Sequence, residues 1–386
     1  MIQAFPGKHP KSITRPEGSI PRRLAIFVSF SGTGGVERVV HNLLQGLAAH
    51  DIDVDLLAVV GKHGWLPEIP WPNIRVIDLK VRHTHLALPA LIRYMRQERP
   101  EVLMAAKDRA IRIAVLARRL AGIDTRLVGQ LHNNISGFLE TKSPLQRWLR
   151  TAPMRWLFPD VDLIICVSEG VVEDTIKITG LPRERMVAIR NPVITPDVYP
   201  KSEEPVDHPW FNGQTVPVIV GAGRLTPEKG FASLIRAFNQ VRQQKDCKLL
   251  ILGEGPLRRD LEQLVAKLGL SDSISMPGYC ANPFAYMKKS SLFALSSVWE
   301  GSGNVLVEAL ALGIPSVSTD CPYGPSETLA DGQFGPLVPV GDDHALAEAM
   351  LATLNNPLPA KVLQEATAEF SVEYSTRRYL EVLGLI

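Results

Sequence analysis

Cysteine is scarce: Cys166, Cys247, Cys280 and Cys321 are the only four in 386 residues, and none of their spacings is short enough to hold zinc or mark a disulfide framework. That usage points to a reducing, cytosolic compartment. Long apolar runs are missing too. The stretch around Leu306 is broken by Glu308, well short of the roughly 18 consecutive apolar residues that a membrane-spanning helix needs. The first 22 residues carry Lys8, Lys11, Arg15 and Arg22, but also Pro6, Pro10, Pro16 and Pro21 and no apolar segment. They read as a loose basic tail and not as a secretion signal. A composition of 45% hydrophobic and 21% charged residues excludes disorder and collagen, and the length suits two domains.

The net charge of +2 hides an asymmetry. Residues 1–200 hold 27 Lys and Arg against 19 Asp and Glu, and the remainder holds 15 against 21. The halves therefore face different partners, or one lies near an anionic surface.

Both halves alternate short β-branched runs with helix-length segments, the pattern of parallel sheets with crossover helices. In the first, Leu24 to Phe30 reads as a strand buried on both faces, followed by a glycine-rich turn and an amphipathic helix through Val39, Val40, Leu43, Leu44 and Leu47. Further strands are expected at 54–60, 74–79, 102–105, 127–131 and 163–167. Residues 192–213, rich in proline and acids, read as the linker. A second series has strands at 216–222, 248–252, 274–276, 292–295 and 316–318, alternating with helices from Phe231, Leu257, Pro283 and Asn304. Each half is an α/β, doubly wound, Rossmann-like unit, and a ligand is expected in the cleft at the carboxyl ends of the strands.

Three stretches carry candidate chemistry. Gly32-Thr33-Gly34-Gly35-Val36-Glu37-Arg38 follows the first strand, where glycines admit a ligand to the backbone and a helix start favours an anion. A dinucleotide fingerprint would need a third glycine at position 37, which is Glu37, so the dehydrogenase reading fails. A tight turn without ligand is the plainer alternative. Gly223-Arg224 with Lys229 and Gly230 again joins a strand to a helix. An Arg fork and a mobile Lys on one loop can clamp a diphosphate; alternatively Arg224 pairs with a carboxylate and Lys229 is solvated. The third stretch, Trp299-Glu300-Gly301-Ser302-Gly303-Asn304-Val305, leads into a helix that Gly313 and Pro315 end. Glu300 falls in the loop and Glu308 on the helix, roughly 8 Å farther along by helical rise. Paired carboxylates accept hydrogen bonds from sugar hydroxyls, and the amides between them can hold an oxygen or phosphate. A solvated Glu300 and a surface Glu308 form the alternative, but Glu308 among Leu306, Val307 and Leu310 would be costly without a partner.

His132 follows an expected strand end facing the cleft, as a structural histidine or a ligand contact. Asp51, Asp53 and Asp55 spell D-x-D twice, a pattern that can hold a divalent metal, but between a helix end and a strand start, the wrong edge of the sheet. They read as a solvated turn, and no metal is expected.

In order and spacing, Gly34-Gly35-Val36-Glu37-Arg38, Gly223-Arg224 with Lys229, the E-x7-E pair Glu300 and Glu308, and Gly335-Pro336-Leu337-Val338-Pro339 resemble the family 4 retaining glycosyltransferases of GT-B fold. The resemblance covers nearly the whole chain. It implies a tail at 1–22, an acceptor-side domain at 23–195, a linker at 196–214, a nucleotide-sugar-binding domain at 215–365, and a C-terminal helix at 366–386 returning to the first domain. It also implies roles. Arg224 and Lys229 would bind the donor diphosphate, Glu308 the ribose hydroxyls and Glu300 the transferred sugar, with Gly301, Ser302, Gly303, Asn304 and Val305 lining the donor. Gly34 and Gly35 would make room for donor phosphates or acceptor, and His132 would approach the sugar. Transfer would proceed with retention and without a carboxylate nucleophile. Ser302 and Asn304-Val305 depart from the bulky apolar residue and Leu-Pro common in relatives, so the loop touching the sugar differs.

Asp320-Cys321-Pro322-Tyr323-Gly324-Pro325-Ser326-Glu327 is similar to the branch of the family that builds bacterial surface polysaccharides on polyprenyl-diphosphate carriers. A lipid-linked saccharide acceptor and a place on the inner face of the cell membrane follow as expectations. Between Arg82 and Arg155, 14 basic residues stand against 5 acidic ones, and Lys142, Arg147, Arg150 and Arg155 interleave with Trp148, Leu149, Trp156, Leu157 and Phe158. That suits a helix in an anionic membrane interface, or equally tryptophans packed in the core beside solvated arginines. The expected activity is hexosyl transfer from a nucleotide diphosphate sugar, with UDP or GDP left open and no further cofactor. The alternatives are a noncatalytic nucleotide-sugar-binding scaffold or a GT-B epimerase. The basic stretch carries no recognised nucleic-acid module.

Overall fold

The structure is a computed structural model and describes residues 23–30, 34–61, 68–140, 142–213 and 216–386. The basic tail at 1–22, Gly32 and Thr33 of the first glycine turn, and position 214 of the expected linker lie outside the described residues.

The strands are β1 Arg23–Phe30, β2 Asp53–Val60, β3 Ile74–Asp78, β4 Val102–Ala106, β5 Arg126–Leu131, β6 Leu163–Cys166, β7 Met186–Ala188, β8 Val218–Ala222, β9 Lys248–Leu252, β10 Ile274–Gly278, β11 Leu292–Leu295, β12 Ser316–Thr319 and β13 Leu337–Val338. The helices before the second sheet are α1 Gly35–Leu47, α2 Leu88–Glu98, α3 Asp108–Ala121, α4 Ile135–Glu140, α5 Pro144–Leu157, α6 Glu169–Thr179 and α7 Val198–Ser202. Those after it begins are α8 Phe231–Gln244, α9 Arg258–Lys267, α10 Pro283–Lys288, α11 Asn304–Ala311, α12 Pro325–Thr328, α13 Asp343–Asn355, α14 Ala360–Glu365 and α15 Val372–Leu383. One sheet runs β3-β2-β1-β4-β5-β6-β7 and the other β10-β9-β8-β11-β12-β13. In each, the chain leaves the first strand toward one edge and later returns to fill the other, the doubly wound order that the alternating pattern implies.

By packing, the described residues divide into two compact units: those within Met1–Gly129 with Asp160–Asp162 and Tyr379–Ile386, and those within Gln130–Pro159 with Leu163–Arg378. In the first, β1 pairs in parallel with β2 and β4, and Leu24 to Val28 are wholly buried. Asp55 corrects the expectation of a solvated aspartate turn. Its carboxylate is buried inside β2, accepts from Arg75 Nε and Nη2 at 2.8 Å each, and accepts from the Tyr94 hydroxyl at 2.6 Å. Strand alternation sends Asp55 under α2, where an unpaired charge would be costly, so partners enclose it. Arg126 Nη1 of this unit donates to the Leu383 carbonyl at 2.9 Å.

In the second unit, alternate residues of β9 face opposite layers. Leu249 and Ile251 pack with Leu234, Phe238 and Val241 of α8, while Leu250 and Leu252 pack with Phe293, Leu306 and Leu310. Burial on both faces is why the strand reads as an unbroken apolar run, each such side chain contributing about 1.5–3 kcal/mol. The stretch read as a linker is itself packed. Val198 of α7 joins the second of these cores, and Ile194 bridges in parallel to Ser371.

Candidate functional site

Of the candidate site residues, Gly34 and Gly35 fall in the first unit, and His132, Arg224, Lys229, Glu300, the 301–305 stretch and Glu308 fall in the second. After β8 the chain turns through Gly223 and Arg224 into a short 3-10 turn, Pro227–Lys229, and then α8. Gly230 between them has a left-handed backbone (φ 62°), and a Cβ there would collide with the Ser296 carbonyl oxygen, so only glycine fits. Ser296 Oγ donates to the Lys229 carbonyl at 2.9 Å and the Val298 amide to the Glu228 carbonyl at 2.8 Å, tying this turn to the loop after β11.

That attachment delivers Lys229 to Glu300. Lys229 Nζ donates to Glu300 Oε1 at 2.5 Å, and Ser297 Oγ donates to the same oxygen at 2.6 Å. Glu300 is buried, which excludes the solvated reading, and so is Glu308 on α11. Arg224 differs: it is exposed, and its guanidinium has no hydrogen-bond or ion-pair partner among the described residues. An exposed fork beside a partly buried lysine–carboxylate pair can receive a diphosphate without first losing a protein partner.

The Arg224 loop is shaped by two glycines that sequence reading passed over. A Cβ at Gly253 would strike the Gly223 carbonyl oxygen, and one at Gly255 would lie about 2.5 Å from the Leu225 carbonyl oxygen. Backbone bonds from Leu225 N to Glu254 O (2.9 Å) and Leu257 N to Leu225 O (3.0 Å) hold the loops together. The available signal was Gly253-Glu254-Gly255-Pro256 directly after a strand, where close backbone approach is the common reason for paired glycines.

Gly303, with φ 68°, is the N-cap of α11, and Asn304 is its first residue. The first amides of that helix have no intrahelical acceptor and carry the positive end of its dipole. Gly301, Ser302 and Gly303 are buried, and Asn304 Oδ1 accepts from Asn191 Nδ2 at 2.9 Å, leaving Val305 half-buried behind it. His132, buried just after β5, is brought to the same loop: a Cβ on Gly301 would collide with the His132 carbonyl oxygen. Ser168 Oγ donates to the Gly301 carbonyl at 2.9 Å, and Gly137 of α4 lies against the Trp299 ring. Lys229, Glu300, Gly301 and His132 thus form one connected group. Nearby Cys321 takes no part as a thiolate, since burial and then the Glu300 charge push its pKa up to about 12.

Gly34 and Gly35 belong to the first unit. Gly34 caps α1, and Lys107, in a strained positive-φ conformation after β4, donates from Nζ to Glu37 Oε1 at 2.9 Å and to the Ser29 carbonyl at 3.0 Å. Lys107, Ser168 and Asn191 were not legible as site residues in the sequence.

Trp148 and Trp156 are 61% and 66% exposed, so they do not pack in the core. With Leu145 and Leu149 they recur at helical spacing along one side of α5, while Met154 and Leu157 are buried on the other. A capping box between Ser143 and Gln146 starts the helix, and Lys142 and Arg150 stand over the Phe138 ring at 5.2 and 5.7 Å. Among the described residues no helix is long and apolar enough to cross a membrane.

Residues 33–197 match the family described as Glycosyltransferase Family 4, and residues 204–370 match Glycosyl transferases group 1. Among curated proteins, the chain is 30% identical over 347 residues to the N-acetylgalactosamine-N,N'-diacetylbacillosaminyl-diphospho-undecaprenol 4-alpha-N-acetylgalactosaminyltransferase of Campylobacter jejuni, covering 87% of this chain and 91% of that one. It is 28% identical over 370 residues to the lipopolysaccharide core biosynthesis glycosyltransferase LpsE of Rhizobium meliloti, covering 92% and 97%. Among solved structures, Anabaena HepE in complex with UDP and glucose superposes with a TM-score of 0.73 at 18% identity, over 95% of this chain and 100% of that one.

Proposed function

This chain belongs to the family 4 glycosyltransferases, with the GT-B fold, and from that premise we propose that it moves a hexose-type sugar, with retention, from a nucleotide diphosphate to a lipid-linked saccharide in the assembly of a surface polysaccharide or related glycan. The observation that carries this reading is the connected group in which Lys229 meets Glu300 at the head of α11 while Gly301 presses on His132. It combines a cation for phosphate, a buried carboxylate for sugar hydroxyls and a row of helix-start amides.

In this account Arg224 and Lys229 hold the diphosphate, the amides from Gly301 to Val305 take the phosphate nearest the sugar, Glu308 binds the ribose hydroxyls and Glu300 those of the sugar. Gly34 and Gly35 leave space for phosphate or acceptor. The bond between the anomeric carbon and the diphosphate oxygen breaks through an oxocarbenium-like pair. The acceptor oxygen bonds to the same face, and its proton passes to the departing diphosphate, so no carboxylate nucleophile is required. His132 lines the sugar side.

The acceptor reading is supported by the undecaprenol-linked substrate in the name of the Campylobacter relative and by the exposed Trp-Leu side of α5 amid basic residues. A helix of this kind lies in the interface of an anionic bilayer, and the enzyme would work there, on the cytoplasmic face. The test is a transfer assay with UDP- and GDP-sugars and polyprenyl-diphosphate saccharides, read by product mass and by NMR of the new anomeric centre. A product of retained configuration, formed far more slowly with Glu300→Ala, is expected. An inverted product, or unimpaired transfer by Glu300→Ala, refutes the mechanism.

A further inference from the structure

Glu327, on the short α12, joins segments more than 130 residues away in the chain. Its Oε1 accepts from the Gly170 amide at 2.9 Å, and its Oε2 accepts from the Glu169 amide at 3.0 Å and from Arg190 Nη1 at 2.5 Å. A carboxylate is thereby seated on the first amides of α6, where the helix dipole favours negative charge. Two routes lead from this seat to Glu300. One passes through the α6 N-cap: Ser168 Oγ accepts from the Val171 amide at 3.3 Å and donates to the Gly301 carbonyl at 2.9 Å. The other passes along the chain of Glu327 itself. The Glu300 amide donates to the Pro322 carbonyl at 2.8 Å, and the Tyr323 amide donates to the Glu300 carbonyl at 3.3 Å. The Tyr323 ring lies so close on Gly170 that a Cβ there would collide with it.

The contacts close into a ring: Glu327, the α6 start, Ser168, Gly301, Glu300, Tyr323 and back to Glu327. Gly301 in turn presses on the His132 carbonyl. We propose that Glu327 is a positioning residue for transfer, holding Glu300 and Gly301 in register with His132 through α6 without itself touching substrate. The proposal rests on the reading of Glu300 and His132 as sugar-side residues. It gives the Asp320–Glu327 segment a geometric task, since shortening or neutralising Glu327 opens the ring where a charged carboxylate holds it.

A helix cap that merely stabilises the fold would lower the melting midpoint and leave turnover at moderate temperature unchanged. A positioning residue separates kcat from donor affinity. Glu327→Gln keeps the size of the side chain but turns an amide NH2 toward donors, and Gly170→Ala opens the ring from the Tyr323 side. Each full-length variant is compared with wild type for kcat, for the Kd of the nucleoside diphosphate, and for hydrogen exchange at 169–170 and 299–303. For Glu327→Gln the expected kcat falls about 100-fold, in line with a misplacement of about 1 Å, while the Kd rises by no more than about five-fold, because Arg224 and Lys229 lie outside the ring and only the Gly301 amide links it to the diphosphate. Exchange rises at both segments, and Gly170→Ala reproduces the pattern if Glu327→Gln folds poorly. A kcat within about two-fold of wild type in a folded variant, or faster exchange confined to 169–170, overturns the proposal. Failure of the wild type to transfer from any donor defeats the functional reading instead, and the exchange comparison still decides whether the ring couples the two segments.

Discussion

Lys229 and Glu300 lie 71 residues apart in the chain and meet in a 2.5 Å ion pair, with Ser297 Oγ donating to the same carboxylate oxygen. The pair is largely shielded from solvent, the lysine side chain being 21% exposed and the carboxylate 10%. Each residue therefore sets the environment of the other. Removing one leaves a charge without its partner, so their substitutions cannot act independently.

Lys229→Ala and Glu300→Ala are each expected to lower kcat/KM by about 10- to 150-fold, since a charged hydrogen bond contributes about 1.5–3 kcal/mol and the proposed mechanism sets both against the donor. The double variant falls far short of the product of the two losses. A complete double-mutant cycle on transfer rates checks this, and strict multiplicativity would separate the two residues into unrelated roles.

Gly301→Ala is expected to cost activity more than stability. Its Cβ meets the His132 backbone, so one strand end or the loop shifts, at about 1–3 kcal/mol in the folded state. Circular dichroism should show a folded protein with a lower midpoint, and transfer should be nearly lost. An alanine variant with wild-type turnover would mean that the His132 turn and the Glu300 loop need not be in register.

The Asp55 network makes stability depend on pH in a defined direction. Burial works to raise the carboxyl pKa, but the hydrogen bonds from Arg75 and Tyr94 and the charges of Arg75 and Arg23 outweigh it, so the net shift is downward. A depressed folded pKa adds stability above the ordinary aspartate value near 4, about 3.9 in model peptides, and that stability is lost as pH falls through the folded value. Asp55→Asn should therefore melt below wild type at neutral pH, by about 1–3 kcal/mol in unfolding free energy. The gap should narrow as the pH drops below about 4. A constant gap between neutral pH and pH 3 would remove the charge from the explanation, 3 being roughly one unit below that model value.

Replacing Trp148 and Trp156 with alanine should abolish flotation with anionic vesicles while leaving nucleotide affinity unaltered, because both side chains are already exposed and stand on α5, apart from the Arg224 loop. Wild-type binding should weaken with salt, as expected of lysine and arginine beside anionic headgroups. Equal flotation of wild type and the double variant would leave the exposed side of α5 without its assigned partner.

Strands such as β1 and β9 were legible because burial on both faces leaves a continuous apolar signature, and the starts of α8, α10 and α11 were marked by Gly or Pro at their first turns. β7 and β13, with three and two residues, are too short for any periodicity to register. Within the candidate site, Arg224, Lys229, Glu300 and Glu308 could be read because they lie in strand-to-helix loops or a glycine-bounded helix. Ser168, Arg190 and Asn191 could not, since their partners Gly301, Glu327 and Asn304 are brought to them only by the fold. Asp55 misled because its partners Arg75 and Tyr94 sit on a neighbouring strand and helix, and local polarity alone suggested solvent. The tryptophans of α5 were undecided for the opposite reason: an apolar side at helical spacing looks the same whether it faces a core or open solvent.

In the proposed mechanism the Arg224–Lys229 loop receives a nucleoside diphosphate. Its most direct test is a thermal-shift panel of UDP, GDP, ADP and their sugar conjugates on wild type and Arg224→Ala, since a ligand that binds only the native state raises the midpoint. The account predicts a rise for one nucleotide series that is sharply reduced in the variant. A rise of equal size in both proteins would place the nucleotide elsewhere, and no rise with any nucleotide would contradict the diphosphate site itself.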